Sequence, residues 1–346
     1  MPVWLIRAGA HGEYESKFVQ ESRIYATWDN LNADLRRMNH KGDLISLMAE
    51  RYPDAKKKAV QNWASQVWPF AHEISKGDLV VLPLKSQPAI QIGEVVSDYR
   101  FEAAGPSPFY HWRSVKWIGE AIPRANFGQD LLYSFGAFMT ICRIQRNNAE
   151  ERIVAMRTNG WKKENLAVIS AATPTSVIQD EAGADNTDLE VLARDQIAQL
   201  ISARFKGHNL TRLVDAILRS QGYVTYVSPE GPDGGVDILA GAGPLGFGAP
   251  RLCVEVKSGD APIDRPSVDK LLGAVAKFGA QEGLFVSWSG FKSNVQKELA
   301  ASFFRVRLWT QTELLEALFA NYDKLDEDIK AELPLKRFWT VAVQNE

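Results

Sequence analysis

Apolar and polar positions change period several times along the chain, and the changes mark out its elements. Val3 to Ala8 is a short apolar run closed by Gly9 and Gly12, which predicts a buried strand, and Ile24 to Trp28 predicts a second. Leu31 to Met38 and Gly42 to Tyr52 have helical spacing, and Pro53 ends the latter. Ala55 to Phe70 predicts another helix, with Val60, Trp63, Ala64 and Val67 on one stripe. The period then shortens. A Lys76-Gly77-Asp78 turn feeds an apolar strand over Leu79 to Leu84, Ile90 to Val96 reads as its hairpin partner, and Tyr110 to Trp117 alternates as a third strand.

Beyond this the text around Arg143 to Arg157 is basic and broken, which suits a solvated face or a set of phosphate contacts. Ala171 to Thr187 is polar, with Pro, Gly and several acids, so residues 161–190 are expected to link a first domain, 1–160, to a second, 191–346. Asp188 to Phe205 has helical spacing and should pack on the second domain. That domain then alternates: helix His208–Gln221 stopped by Gly222, strands Tyr223–Ser228, from Val236 and up to Lys257, helix Ser267–Phe278, strand Gly283–Ser287, helix Phe291–Phe303, strand Arg305–Leu308, helix Thr312–Phe319. Such alternation predicts a mixed central sheet flanked by helices. Phe338 to Val343 is a last strand-like piece, a candidate edge strand.

At 346 residues the chain is long enough for two cores, and its 45% apolar and 24% charged content is ordinary for a globular protein. A formal net charge of −2 confines any nucleic-acid contact to local basic patches. The two cysteines, Cys142 and Cys253, form no C-x-x-C pair, which argues against a thiolate zinc site and for a reducing cytoplasm. The start lacks the pattern of a signal peptide and no apolar run reaches membrane-spanning length, so a cytoplasmic protein without a membrane partner is expected. Walker A, G-x-S-x-G and H-E-x-x-H patterns do not occur.

The chemistry concentrates between Gly231 and Lys257. Asp237 opens one apolar run, the turn GAGPLGFGAP follows, and a second run carries Glu255 and Lys257. Strict alternation puts Cys253, Glu255 and Lys257 on one strand face. Charges there are costly unless paired, either as a structural ion pair or around a divalent cation. In the second case Asp237, Glu255 and the Val256 carbonyl would offer oxygen ligands, with Lys257 beside them. Ser258 and Asp260 read as turn residues or as contacts to the metal's water shell. Asp233 reads as Asx-turn chemistry or as the ligand in place of Asp237.

Gly234-Gly235-x-Asp237, Glu255-x-Lys257, and Gly283 to Ser287 followed by Ser289-Gly290-Phe291 together resemble the Mrr-like restriction endonucleases of the PD-(D/E)xK superfamily, over roughly Gly207 to Trp309. Two positions depart from that family. Relatives often carry Gln where Glu255 stands, and a Glu near Leu210-Thr211-Arg212. His208 lies close to the latter place and reads either as its substitute or as a capping or surface residue. The resemblance implies a restriction-endonuclease-like fold, Asp237, Glu255 and Lys257 as catalytic residues, Mg²⁺ (or Mn²⁺) as cofactor, and double-stranded DNA as substrate.

The first half resembles, more loosely, the PUA superfamily, whose EVE and YTH members bind modified bases. The likeness rests on Lys76-Gly77-Asp78, Ile92-Gly93-Glu94-Val95 and their order, and it implies a small β-barrel with helices. Seven of the ten tryptophans fall here, so either they fill that barrel's core or some wall a base pocket. Trp28, Trp63 and Trp68 are the candidates for the pocket, because Asp29, Asn62 and Gln66 sit beside them. Trp4 and Trp117 suit the core. The chain therefore reads as an α/β two-domain protein: a modification-dependent, type IV-like DNA endonuclease, dimeric at least on DNA because each chain carries one active site. A structure-specific or repair nuclease, and a non-catalytic nucleic-acid-binding module, are the alternatives.

Overall fold

Gly93 shows how closely the first sheet is packed. A Cβ there would lie 2.7 Å from the ring of Trp117, its cross-strand partner, so the Ile-Gly-Glu-Val run needs its glycine to admit that ring. The structure is a computed structural model, and it describes residues 1–137, 139–164, 189–229, 235–259, 261–292, 294–295 and 299–338. The described chain falls into two units that meet between Asp195 and Gln196.

The first unit contains β1 (Val3–Ile6), α1 (Glu15–Glu21), β2 (Arg23–Ala26), α2 (Lys41–Arg51), α3 (Lys57–His72), β3 (Leu79–Pro83), β4 (Ala89–Val95), β5 (Arg100–Phe101), β6 (His111–Trp117), β7 (Ile122–Pro123), α4 (Gln129–Phe135), β8 (Ile141–Arg143) and α5 (Ala149–Thr158). Its strands run in the order β2-β6-β4-β3-β1-β8, with β5 beside β6 and β7 beside β4. Only β1 and β3 are parallel; β3 and β4 form the expected hairpin. The sheet curls, yet no ladder joins β2 to β8 among the described residues.

All four residues of β1 and all five of β3 are buried, because both faces of the sheet are covered. Trp4, Ile6, Val80 and Leu82 meet Phe18, Leu44, Met48, Val67 and Phe70 on one side. Val3, Leu5, Leu79 and Val81 meet Leu131, Phe135 and Ile153 on the other. Arg113 of β6, buried in the first core, donates to the carbonyls of Phe70 (2.8 Å) and Ala71 (3.1 Å) at the end of α3. A cation at a helix C-terminus satisfies otherwise orphaned carbonyls and is favoured by the helix dipole.

The expected helix over Leu31–Met38 is only a 3₁₀ turn, Leu35–Arg37. Asn30 sits at φ 59°, and the Asp34 side chain accepts the Arg36 N–H, so local side-chain bonding displaces a regular helix while Leu31 and Leu35 are still buried. The basic run near Arg143 becomes α5, which buries Ile153 and Met156.

The helix α6 (Leu189–Arg204) leads into the second unit: α7 (His208–Ser220), β9 (Val224–Val227), β10 (Ile238–Ala242), β11 (Gly248–Lys257), α8 (Arg265–Lys277), β12 (Glu282–Ser287), β13 (Val306–Trp309), α9 (Gln311–Asn321) and α10 (Glu327–Glu332). The sheet order is β13-β12-β11-β10-β9, with β11, β12 and β13 parallel and β9, β10 and β11 antiparallel. Leu252, Val254 and Val256 face a core with Ile201, Leu213, Ile217 and Leu314. Cys253 faces the other, with Val268, Leu271, Val275 and Phe285.

This is the mixed sheet with flanking helices that the alternation predicts. The hairpin from β10 to β11 turns through Gly243–Phe247, and Gly241 tolerates no side chain because a Cβ would collide with the Gly246 carbonyl. The linker segment 165–188, Asp233, Asp260 and most of the strand-like piece after Phe338 lie outside the described residues. So does part of the expected helix Phe291–Phe303, of which Leu299–Ser302 forms a 3₁₀ turn.

Candidate active site and base-reading surface

The alternation of β11 is realised: Leu252, Val254 and Val256 point to the α7 side, leaving Glu255 and Lys257 on the face that Cys253 buries further in. The Glu255 side chain is 13% exposed and that of Lys257 47%, so the carboxylate is mostly enclosed while the ammonium reaches out. They form an ion pair. Asp237 stands immediately before β10. Its N–H donates to the Val254 carbonyl at 2.9 Å, and its Oδ2 accepts the Val256 N–H at 2.7 Å. The two contacts straddle Glu255, so Asp237 and Glu255 are drawn to the same stretch of β11.

Val256 is buried in the α7-side core, and its backbone is what holds Asp237 in place. Ser258 Oγ accepts the Gly207 N–H at 2.8 Å, which ties the start of α7 to the end of β11. His208, the first residue of α7, is exposed and is brought to that same end of the strand. On the neighbouring strand Ser287 stands opposite Lys257, and Trp288 N–H donates to the Lys257 carbonyl at 2.9 Å. Ser287 Oγ in turn donates to the Gly290 carbonyl at 2.8 Å, so the Ser287–Gly290 stretch serves as a buttress for the end of β11.

Among the described residues no three His, Cys, Asp or Glu side chains converge as a metal-holding group. The donors at hand are the carboxylates of Asp237 and Glu255 and the backbone carbonyls of β11. Hard oxygen donors suit Mg²⁺ or Mn²⁺ and do not suit a soft metal.

In the first unit Trp28, Trp63 and Trp68 are all partly buried against the core. Tyr52 links two of their neighbourhoods: its ring meets Trp63 edge-on at 5.3 Å, and its hydroxyl reaches the Asp29 carbonyl next to Trp28. Trp68 is stacked on His72 at 3.8 Å. Gln66 is buried and engaged elsewhere, accepting the Thr140 N–H at 2.7 Å and donating to Asn62 at 2.8 Å, so it is not a free base reader, while Asn62 is exposed. Trp4 is buried and donates Nε1–H to Asp78 at 2.9 Å.

Two features of this unit were not legible in the sequence. One is a cleft of about 390 Å³ lined by Tyr25 and Phe109, with Lys17, Arg23 and Glu102 around it; none of the three candidate tryptophans lines it. The other is His111, fully buried, which sits 2.6 Å from both the Tyr99 hydroxyl and the Leu31 carbonyl. Burial pulls its pKa down to about 4, so it is neutral, donating from Nε2 and accepting at Nδ1.

Residues 202–318 match the Mrr_cat family model, described as a restriction endonuclease. This stretch, about a third of the chain, is an Mrr-like restriction endonuclease domain. The Mrr-like match spans α7 through most of α9 and includes Asp237, Glu255 and Lys257. Residues 4–131 match a family described only as a domain of unknown function, DUF8426. No curated protein matches the chain. Among solved structures, the "DNA modification-dependent restriction endonuclease AspBHI" overlaps at TM-score 0.33 and 15% identity, over 74% of this chain and 67% of that one. The MspJI restriction endonuclease in complex with a 27-mer oligonucleotide overlaps at TM-score 0.31 and 13% identity, over 96% and 79%. No helix among the described residues is long and apolar enough to cross a membrane.

Proposed function

We propose that this chain is a DNA endonuclease that hydrolyses phosphodiester bonds in its second unit and selects modified DNA with its first. The observation that carries the proposal is the convergence of Asp237 and Glu255 on one stretch of β11, with Lys257 beside them, inside a restriction endonuclease domain. Asp237, Glu255 and the Val256 carbonyl would hold Mg²⁺ or Mn²⁺, which when bound neutralises charge on the phosphate and lowers the pKa of water. Val256 N–H fixes the Asp237 carboxylate in its orientation. Glu255 holds the Lys257 ammonium close to the carboxylates, where it can orient the attacking water and balance charge developing on the phosphate. Ser258 and Ser287 act indirectly, by fixing the strand end.

The division of labour assigns residues 1–160 to a PUA-like reader, 161–190 to the linker and 191–346 to the nuclease. Aromatic rings partly exposed on the first unit, Trp28, Trp63 and Trp68 among them, suit a base drawn out of its stack. One active site per chain makes a homodimer on double-stranded DNA the working form in the cytoplasm.

The test is a panel of unmodified, methylated, hydroxymethylated and glucosylated duplexes incubated with Mg²⁺. Cleavage confined to modified duplexes is expected. Equal cleavage of all of them would make the chain a nuclease without modified-base dependence, and cleavage of none would leave a binding module.

A further inference from the structure

Among the described residues the strand β9 pairs only with β10 and ends the sheet of the second unit. Exposed sheet edges are usually guarded by charge, proline or a bulge. This one reads Val224-Thr225-Tyr226-Val227, with neither charge nor proline, and Val224 and Tyr226 are 44% and 58% exposed. The tip of the β10–β11 hairpin folds against it: a Cβ on Gly246 would lie 2.9 Å from the Cβ of Val224. Edge and tip are therefore one surface, and the tip adds Leu245, 74% exposed, and Phe247, 84% exposed.

The chain from Ala240 to Pro250 contains no charged residue, so a nucleic-acid backbone would find no cation there. The tip also lies at the opposite end of β10 and β11 from Asp237 and Lys257. A protein surface equally uncharged and apolar is what complements it.

We propose that this edge joins a second copy of the chain, β9 against β9 antiparallel about a two-fold axis, with Leu245 and Phe247 packed across the joint. A strand paired antiparallel with itself is its own complement, as an isologous interface requires. The four side chains offer roughly 500 Å² per copy, about 1,000 Å² for the pair, which is where specific interfaces begin. That a second copy is needed rests on the nuclease reading; the surface itself rests on the geometry.

Sedimentation velocity of the full chain tests it, off DNA, with the wild type, L245E/F247E and Tyr226→Lys. The wild type should be a dimer at micromolar concentration. Both variants should raise the dimer dissociation constant at least about a hundredfold with unchanged thermal melting, because the altered side chains are exposed. Should the double variant melt early, Tyr226→Lys alone carries the comparison. A monomeric wild type, growth past the dimer, or variants that dimerise as tightly as the wild type would each overturn the proposal. Dimers that cut no DNA would instead sink the nuclease reading and leave the interface standing.

Discussion

Asp237 Oδ2 accepts the Val256 N–H at 2.7 Å, so the acid that opens β10 is clamped to the strand that carries Glu255. Because this contact is structural as well as orienting, two substitutions separate the roles. Asp237→Asn keeps an acceptor oxygen and should retain the fold and duplex affinity while cleavage falls at least about a hundredfold. Asp237→Ala should lose cleavage too, and additionally about 1–3 kcal/mol of stability, from the Val256 N–H left without its acceptor. Cleavage rates, fluorescence anisotropy and thermal melting of the two variants decide this. Wild-type cleavage by Asp237→Asn would remove Asp237 from the site.

Lys257 and Glu255 bear on whether the charged pair exists for stability. The Lys257 side chain is about half exposed, and ion pairs in such settings are worth about 0–1 kcal/mol. Lys257→Met should therefore shift the urea midpoint little while abolishing cleavage. The opposite pattern, a large stability loss with cleavage intact, would make this a structural ion pair.

How much of this was legible in the sequence differs between the units. In the second, periodicity placed β9, β10, β11, β12, β13, α6, α7, α8 and α9 within a few residues, because each strand or helix has an unbroken apolar face and Gly/Pro-rich turns between. The alternation of Cys253, Glu255 and Lys257 was readable for the same reason. The hydrogen bond from Val256 to Asp237 was not, since it depends on how two strands lie side by side. In the first unit, α1 and α4 are only 7 residues long and lack a periodic stripe long enough to detect. The polar neighbours of the tryptophans misled most. Gln66 looked available beside Trp63 and Trp68, but tertiary packing engages it with the start of β8.

His111 supplies a pH prediction for the first unit. Its pKa is about 4 in the fold and 6.5 unperturbed, because burial disfavours the charged ring. Between those values the unfolded chain binds the extra proton, so stability is fully present above pH 6.5 and declines as pH falls toward 4. The loss should reach about 3 kcal/mol, and His72, also shifted down by burial, adds in the same direction. Urea unfolding followed from pH 7.5 to 5 isolates this window, because carboxylates with ordinary values of 3.8 and 4.5 titrate below it. Stability independent of pH over that range would contradict a buried neutral His111.

The last prediction concerns where the first unit would hold a base. Flipping a base costs a few kcal/mol, and stacking returns roughly 1–3 kcal/mol per aromatic partner. Removing one ring of a stacking pair should thus weaken binding at least tenfold. Tyr52 meets the Trp63 ring and reaches the Asp29 carbonyl next to Trp28, while Trp68 already stacks on His72 and would have to exchange that partner for the base. Trp28→Ala or Trp63→Ala is therefore expected to weaken modified-duplex binding tenfold or more, with Trp68→Ala weaker in effect. A fluorescent base analogue at the modified position should brighten on binding and stay dim with the damaging variant. Phe109→Ala provides the contrast, since Phe109 lines the separate cleft. If it alone abolishes discrimination while the tryptophan variants bind normally, the base sits in that cleft and the tryptophans are core.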